Sequence, residues 1–367
     1  MNDRALNDRA PNDRALNDRA LSDRALNDRA LNEPRSPRPW LLALAGLTLG
    51  AALLLALAPE TWLPVIWARS ATPYLLLPAW PLTALALWRR ERAAAALGGL
   101  AALGHLAWIA PALVASPPAR TITDAAPLRV VAANVLYVHD APDALGDELL
   151  ATDADVLVLT EVSPRWLPFL ARARARYPHH EVVVREDAFG IAVLSRHPLS
   201  RAVLVDLGEV PMIDATVATL DGPVRVLAVH TLPPVNGAYA ARWRAQLTAL
   251  AAYVRAIDAP LVVAGDLNAT RFHAHLRAVE HAGVRDAHGA LGRGLATTWP
   301  NGLFSAPPLA LDHVLVSPHL VPTRVREGVG AGSDHRPVIV DLARRAPPPT
   351  PVAGLARVGA RPRGPRS

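Results

Sequence analysis

Two hydrophobic patterns divide the chain. Residues 40–58 form an apolar block without a charge. Residues 71–88 are also uncharged and hold Pro73, Pro78 and Pro81, and in residues 93–116 His105 is the sole titratable group. A helix from a soluble bundle keeps a polar face, and these blocks have almost none. About 20 apolar residues cross the ~30 Å of a bilayer's hydrocarbon. The first and third blocks therefore predict membrane-spanning helices. The second is shorter and proline-rich, and is expected to be kinked or partly re-entrant. About three transmembrane helices over residues 40–116 are expected.

After Pro117-Pro118 the pattern becomes one of short apolar runs separated by turn residues. Strands are predicted over 128–135, 155–162, 181–185, 190–195, 201–207, 212–220, 224–230, 260–267, 311–317 and 336–342. Helical periodicity marks 142–151, 164–176, 239–257 and 271–282. Many strands and few helices point to an α+β domain layered on sheets. Its expected bounds are 127–343, with a linker at 117–126.

The ends of the chain differ from both regions. Residues 2–31 hold six copies of a pentapeptide close to Asn-Asp-Arg-Ala-Leu. A period of five matches neither strand nor helix, so residues 1–39 are expected to form a disordered tail. The Pro/Arg/Gly-rich segment 344–367 is expected to be disordered as well.

Charge sharpens the division. All 38 basic residues are arginine, and the net charge is +6. Six arginines and no acid lie from Arg344 onward, whereas 127–343 has 19 arginines and 22 acids. The folded domain is thus slightly acidic, where a protein that coats itself with nucleic-acid phosphates is usually basic. The chain has no cysteine, which excludes disulfides and thiolate metal sites. Arg35 and Arg38 precede the first apolar block, and Arg89, Arg90 and Arg92 separate the second from the third, with Arg69 alone between the first two. The positive-inside rule puts the N-terminus in the cytoplasm and, with three crossings, the strand-rich domain outside. If the second block does not cross, the placement inverts.

Polar residues recur where apolar strands end. Leu-Arg-Val-Val-Ala-Ala runs into Asn134, Asp-Val-Leu-Val-Leu-Thr into Glu161, and Val-Arg-Val-Leu-Ala-Val into His230. Leu-Val-Val-Ala-Gly ends in Asp266-Leu267-Asn268, where two polar residues two apart share a strand face. Asp312-His313 opens another strand, and Ser333-Asp334-His335-Arg336-Pro337 precedes the last. Singly, each suits a turn or a rim position. Six in succession, all Asn, Asp, Glu or His, point to one shared site.

In this order the motifs resemble the endonuclease/exonuclease/phosphatase superfamily, which includes deoxyribonuclease I-like nucleases, sphingomyelinases and inositol-polyphosphate phosphatases. Gly-Asp-Leu-Asn together with Ser-Asp-His-Arg-Pro is the specific pair. The resemblance implies a four-layer α/β/β/α sandwich of two packed sheets, with the site at one end of the strands. It implies that Glu161 holds Mg²⁺ or Mn²⁺, helped by Asn134 and Asp334. It further implies that His335 acts as the base or phosphate-polarising group, oriented by Asp312. By the same resemblance Asp266 and Asn268 would position water and phosphate, and His230 would contact phosphate or the leaving group. Asp266 and His335 both remain open as base. Thr160 stands where glutamine is common, which touches a supporting hydrogen bond and not the ligand.

Other features carry less. Arg242 and Arg244 flank Trp243 in a helical segment and are expected to be solvated. His139, His179, His180, His197, His273, His275, His281, His288 and His319 share no ligand spacing and are expected to be surface or incidental residues, while His313 should face away from Asp312. The chain is expected to be a membrane-embedded hydrolase of a phosphoester, whether lipid head group, small molecule or nucleic acid, with no protein partner. A membrane-tethered nuclease is the near alternative. A non-catalytic binding module on the same fold is the alternative of another class, and a structural membrane protein with a passive soluble domain is a further one.

Overall fold

A computed structural model describes residues 38–122, 127–302 and 307–346, together with Arg19, Leu21, Ser22 and Arg24, which are helical and exposed. Most of the repeat tract and the tail from residue 347, both expected to be disordered, lie outside the described residues.

The apolar region forms α1 (Pro39–Leu57), α2 (Leu63–Ser70), α3 (Thr72–Leu75), α4 (Ala79–Trp88) and α5 (Arg92–Leu113). Among the described residues, α1 and α5 are long and apolar enough to cross a membrane. The helix expected over 71–88 is divided instead. Pro78 and Pro81 remove backbone donors, and the chain tightens to three-residue steps between α3 and α4, with Leu77 N donating to Tyr74 O (3.2 Å) and Trp80 N to Leu77 O (3.2 Å). The start of α1 lies beside that of α5, since Arg38 N donates to Glu91 Oε1 (3.2 Å). At the other end Gly294 N donates to Ala112 O (2.9 Å), so both long helices run from an arginine-rich end toward the second domain.

Among the described residues that domain has twelve strands in two sheets. The first sheet has the order β11-β12-β1-β2-β4-β3 and the second β5-β6-β7-β8-β10-β9. Their ranges are β1 (Leu128–Asn134), β2 (Val156–Thr160), β3 (His179–Val183), β4 (Ile191–Ser195), β5 (Leu199–Asp206), β6 (Pro211–Thr219), β7 (Gly222–His230), β8 (Leu261–Asp266), β9 (Arg285–Asp286), β10 (Asp312–Val316), β11 (Leu320–Glu327) and β12 (Val338–Arg344). Small branched residues fill the space between the sheets, among them Val130, Val158, Val226 and Val314. α6 (Pro142–Ala151) and α7 (Leu167–Ala173) cover the outer face of the first sheet through Leu145, Leu149 and Phe169. α8 (Gly237–Arg255) and α9 (Ala274–Glu280) cover the second through Trp243, Leu247 and Leu276. α10 (Ala287–Ala290) follows β9. The result is the α/β/β/α sandwich.

Two elements had little signature in the sequence. β11 is an edge strand interrupted by Pro322, with a register shift between Pro322 and Arg324, so its hydrophobic alternation is broken. The end of the linker also pairs with the domain. Ile122 N donates to Arg344 O (3.0 Å) and Thr121 bridges Arg345, so pairing continues past residue 343.

The apolar region and the domain meet through the turn before α2. Glu60, almost fully buried, accepts from Arg69 Nη1 (2.7 Å), Ala274 N (2.5 Å) and His275 Nδ1 (2.6 Å). Ile66 of α2 joins the hydrophobic cluster around Trp243. His273 Nε2 donates to Ile66 O (3.0 Å) and its Nδ1 accepts from Thr270 N (2.9 Å). Burial pushes His273 down to about 4, so the ring is neutral.

Candidate active site

Register in the second sheet builds half of the site. His230 ends β7 opposite Asp266, and Asp266 ends β8 opposite Asp312 at the start of β10. Three chemically active side chains on adjacent strands therefore reach one level. Gly265 permits this close pairing. It has a φ of +136°, and a Cβ there would meet Val229 O at 2.0 Å. Asn268, at φ +46°, turns back so that its N–H donates to Asp266 Oδ1 (2.8 Å) and its Nδ2 to Thr231 O (2.9 Å).

The first sheet supplies the facing half. Glu161 follows β2 with φ +65°, a conformation that costs a non-glycine residue about 1–3 kcal/mol and aims its carboxylate at β1. Asn134 Nδ2 donates to Glu161 Oε1 (2.8 Å) and across the sheets to Asp266 Oδ2 (3.0 Å), while its Oδ1 accepts from Leu136 N (3.0 Å). Tyr137 N donates to Glu161 Oε2 (3.0 Å).

The 333–335 loop closes the site. His335 Nδ1 donates to Asp312 Oδ2 (2.7 Å), and its Nε2 lies 3.8 Å from Asp266 Oδ2. His230 Nε2 lies 3.9 Å from the same oxygen. Ser333 Oγ donates to Asn134 O (2.9 Å) and accepts from His335 N (3.1 Å), which joins the loop to β1. Asp334 is exposed at the rim, where its Oδ2 accepts from Trp299 Nε1 (3.2 Å).

Burial and charge act against each other here. Desolvation, with the Asp312 charge added, raises Asp266 above the usual carboxylate range. Desolvation also raises Glu161. His335 is pushed down by burial, but Asp312, Asp266 and Asp334 together overcome this and hold it up at about 10. His230, fully buried, is lowered by desolvation and stays neutral.

A hard cation fits these donors. Ligand-type atoms of Asp266, Asp312 and His335 all lie within 4.8 Å of one another, and with His335 protonated the two carboxylates are the ligands offered. Asp312 Oδ1 is buried without a hydrogen-bond partner. Carboxylate oxygens facing one another in a dry cleft are the donor set that divalent ions satisfy. Among the described residues this cluster does not include Glu161 or Asp334, and Asn134 presents its N–H₂ group toward the carboxylates.

The sequence profile of the endonuclease/exonuclease/phosphatase family matches residues 131–335. The chain belongs to this family. As a family member it is a metal-dependent hydrolase of phosphoric ester bonds. Among solved structures it is similar to TDP2 from D. rerio in complex with single-strand DNA product. That chain is 18% identical, the match covers 59% of this chain and 98% of that one, and the TM-score is 0.51. An endonuclease/exonuclease/phosphatase from Beutenbergia cavernae is 20% identical over 60% of this chain and 72% of its own, with a TM-score of 0.47. Sphingomyelinase C from Streptomyces griseocarneus is 19% identical over 59% and 99%, with a TM-score of 0.45. At such identities the likeness concerns the fold alone. No curated protein matches the chain.

Several residues of this family member's site had no separate signal in the sequence. Trp299 packs 6.5 Å from the His335 ring and Phe189 packs 5.3 Å from that of His230, yet each is an isolated aromatic in a loop. The histidines expected to be surface or incidental residues divide. His139, His273 and His288 are buried, and each finds a partner far along the chain: Ala331 O for His139 (3.0 Å), Ile66 O for His273 and Glu327 Oε1 for His288 (2.8 Å). His313 faces away from the site and contacts Asp286 Oδ1 (3.3 Å).

Proposed function

We propose that the chain is a membrane-anchored phosphoesterase that uses Mg²⁺ or Mn²⁺ to hydrolyse phosphodiesters or phosphomonoesters at a membrane surface, a lipid head group foremost. The observation that carries this reading is the convergence of Asn134, Glu161, His230, Asp266, Asn268, Asp312 and His335 from two sheets into one cleft. Hydrolysis needs the phosphoryl charge neutralised, a water positioned and the leaving oxygen stabilised. A divalent ion, when bound, would supply the first; Asp266 and Asp312 would hold it together with Glu161, which Asn134 joins to Asp266. Asp266, raised toward neutrality by burial, has the basicity to take a proton from water, and Asn268 fixes its orientation. His335, kept protonated by Asp312, is suited to polarise the phosphoryl group. Neutral His230 can donate a hydrogen bond to phosphate or to the leaving oxygen.

Anchoring is supported by the position of the arginines. Arg38, Arg89, Arg90 and Arg92 cluster at the end of the helices away from the catalytic domain, which by the positive-inside rule favours an extracytoplasmic catalytic domain. Two loops beside the site are tied to the apolar region. Trp67 Nε1 donates to Pro234 O (3.0 Å) after His230, and Tyr74 Oη donates to Pro308 O (2.7 Å) beyond Trp299. This arrangement favours a substrate presented at the bilayer.

The test uses the full chain in lipid nanodiscs, assayed against phospholipids, soluble phosphomonoesters and phosphodiesters, and DNA. Chelator and metal re-addition provide one control and His335→Ala the other. Metal-dependent hydrolysis, lost in the variant, is expected. Cleavage confined to DNA would establish the nuclease alternative, and no hydrolysis of any substrate would overturn the enzyme reading.

A further inference from the structure

A second charged cleft, which the phosphoester chemistry leaves unused, opens where α1 and α5 meet the catalytic domain. It measures about 340 Å³. Leu55 of α1, with Trp108 and Pro111 of α5, forms an apolar wall, and Arg69, Arg271 and Arg277 face it. Among the described residues, only Arg69 of the three has a carboxylate partner, Glu60. Arg69 is 7% exposed and uses Nη1 on Glu60 and Nη2 on Ala58 O (2.8 Å), but its buried Nε has no hydrogen-bond partner. Arg277 Nη1 donates only to main-chain carbonyls, those of Phe272 (2.7 Å) and Arg271 (3.3 Å). Among the described residues, neither Arg271 nor Arg277 has a carboxylate oxygen within 4.0 Å. Partial burial pushes Arg277 below its ordinary value, with Arg69 and Arg271 adding to that effect and the charges of Glu60 and Glu280 opposing it.

Three guanidinium groups that share one carboxylate, Glu60, suit a phosphate, which they bind through paired N–H donors. The wall opposite them continues onto the surface of two helices long and apolar enough to cross a bilayer, and phospholipid phosphates lie at such a helix end. We propose that this cleft binds the phosphate of an anionic phospholipid, with its acyl chains against α1 and α5. The inference rests on the membrane-anchored reading. The site adjoins the chemistry in sequence, because Arg271 follows Asn268 by three residues. An occupied cleft would steady the loop that holds Asn268 in place.

The full chain is to be extracted with alkaline carbonate, then placed in nanodiscs of phosphatidylcholine with or without phosphatidylglycerol. Release by carbonate would refute the anchored reading and this inference with it. Retention in the membrane together with a rise of several degrees in melting temperature on adding phosphatidylglycerol, and retention of that lipid in native mass spectra, is the expected result. Arg271→Gln/Arg277→Gln should lose both effects. Arg89→Gln/Arg90→Gln, at the opposite end of the helices, should keep them. If the double variant does not fold, Arg277→Gln alone decides, since much of that residue reaches solvent and only main-chain carbonyls accept from its Nη1. Equal stabilisation of wild type and the Arg277 variants, or an equal rise from inorganic phosphate, would overturn the proposal.

Discussion

His335 and Asp312 stand 23 positions apart in sequence and are joined by a 2.7 Å hydrogen bond in which Nδ1 donates to Oδ2. The bond fixes the ring so that Nε2 faces Asp266, and the Asp312 charge contributes to holding the imidazolium up at about 10. Asp312→Asn keeps the shape but removes the charge. Activity should fall by about 10²- to 10⁴-fold in kcat, the range typical of proton-transfer groups. The alkaline limb of the kcat profile should also move to lower pH. A profile unchanged in shape would remove Asp312 from the orienting role.

Metal should register in stability as well as in activity. The folded site gathers the carboxylates of Asp266 and Asp312 in a way the unfolded chain does not, so an ion that binds it stabilises the native state by about 2.7 kcal/mol at 100-fold excess over Kd. Chelation should lower the melting temperature, and Mg²⁺ or Mn²⁺ should restore it. Asp266→Asn should abolish that response.

Gly265 is the backbone condition for the Asp266 position. With φ at +136° and Val229 O only 2.0 Å from a would-be Cβ, Gly265→Ala must spread β7 from β8. Its cost is expected to be about 3 kcal/mol or more, read by thermal unfolding, with activity lost in the folded remainder.

The buried pair of His313 and Asp286 sets a pH window. Burial lowers His313, but the hydrogen bond and charge of Asp286 hold it up at about 9, while Asp286, raised by burial, is drawn down to about 2 by His313. The histidine's contribution is complete below its unfolded value of about 6.5 and is lost as pH rises through about 9. That of the aspartate is complete above about 4 and is lost as pH falls through about 2. His313→Ala should therefore cost most, about 3–5 kcal/mol, between those limits. A melting-temperature difference that does not narrow at high pH would contradict the assignment.

Glu60 couples the apolar region to the catalytic domain. Burial raises it, yet His275, His273, Ala274 N and Arg69 bring it down to about 2. Its contribution is present above about 4.5 and is lost as pH falls through about 2. Glu60→Gln leaves Arg69 buried beside a weaker partner and should cost about 3 kcal/mol. Limited proteolysis should then cut between α1 and α2 faster than in the wild type.

Much of the site was legible because strands announce their ends. A run such as Leu-Val-Val-Ala-Gly before Asp266 must leave the core where polarity begins, and a sheet brings such ends to one edge. The roles of lone aromatics such as Trp299 were not legible, because a single loop residue has no period to read. β11 escaped for a related reason, since Pro322 breaks its alternation at a sheet edge. Buried histidines were misread as surface or incidental residues because their partners are distant. His288 meets Glu327 and His273 meets Ile66 across 39 and 207 positions.

By itself the sequence determined the apolar blocks, the alternation of strands and turns, and the inventory of Asn, Asp, Glu and His at strand ends. These follow from covalent order, which sets the spacing of side chains along one element. Only the tertiary structure decided that Asn134 bridges Glu161 and Asp266, that Asp266, Asp312 and His335 form the tight cluster, and that Arg69, Arg271 and Arg277 share a cleft at the helix ends. Those relationships depend on which strands pair and which surfaces pack, and the free energy of that choice is spread over the whole core.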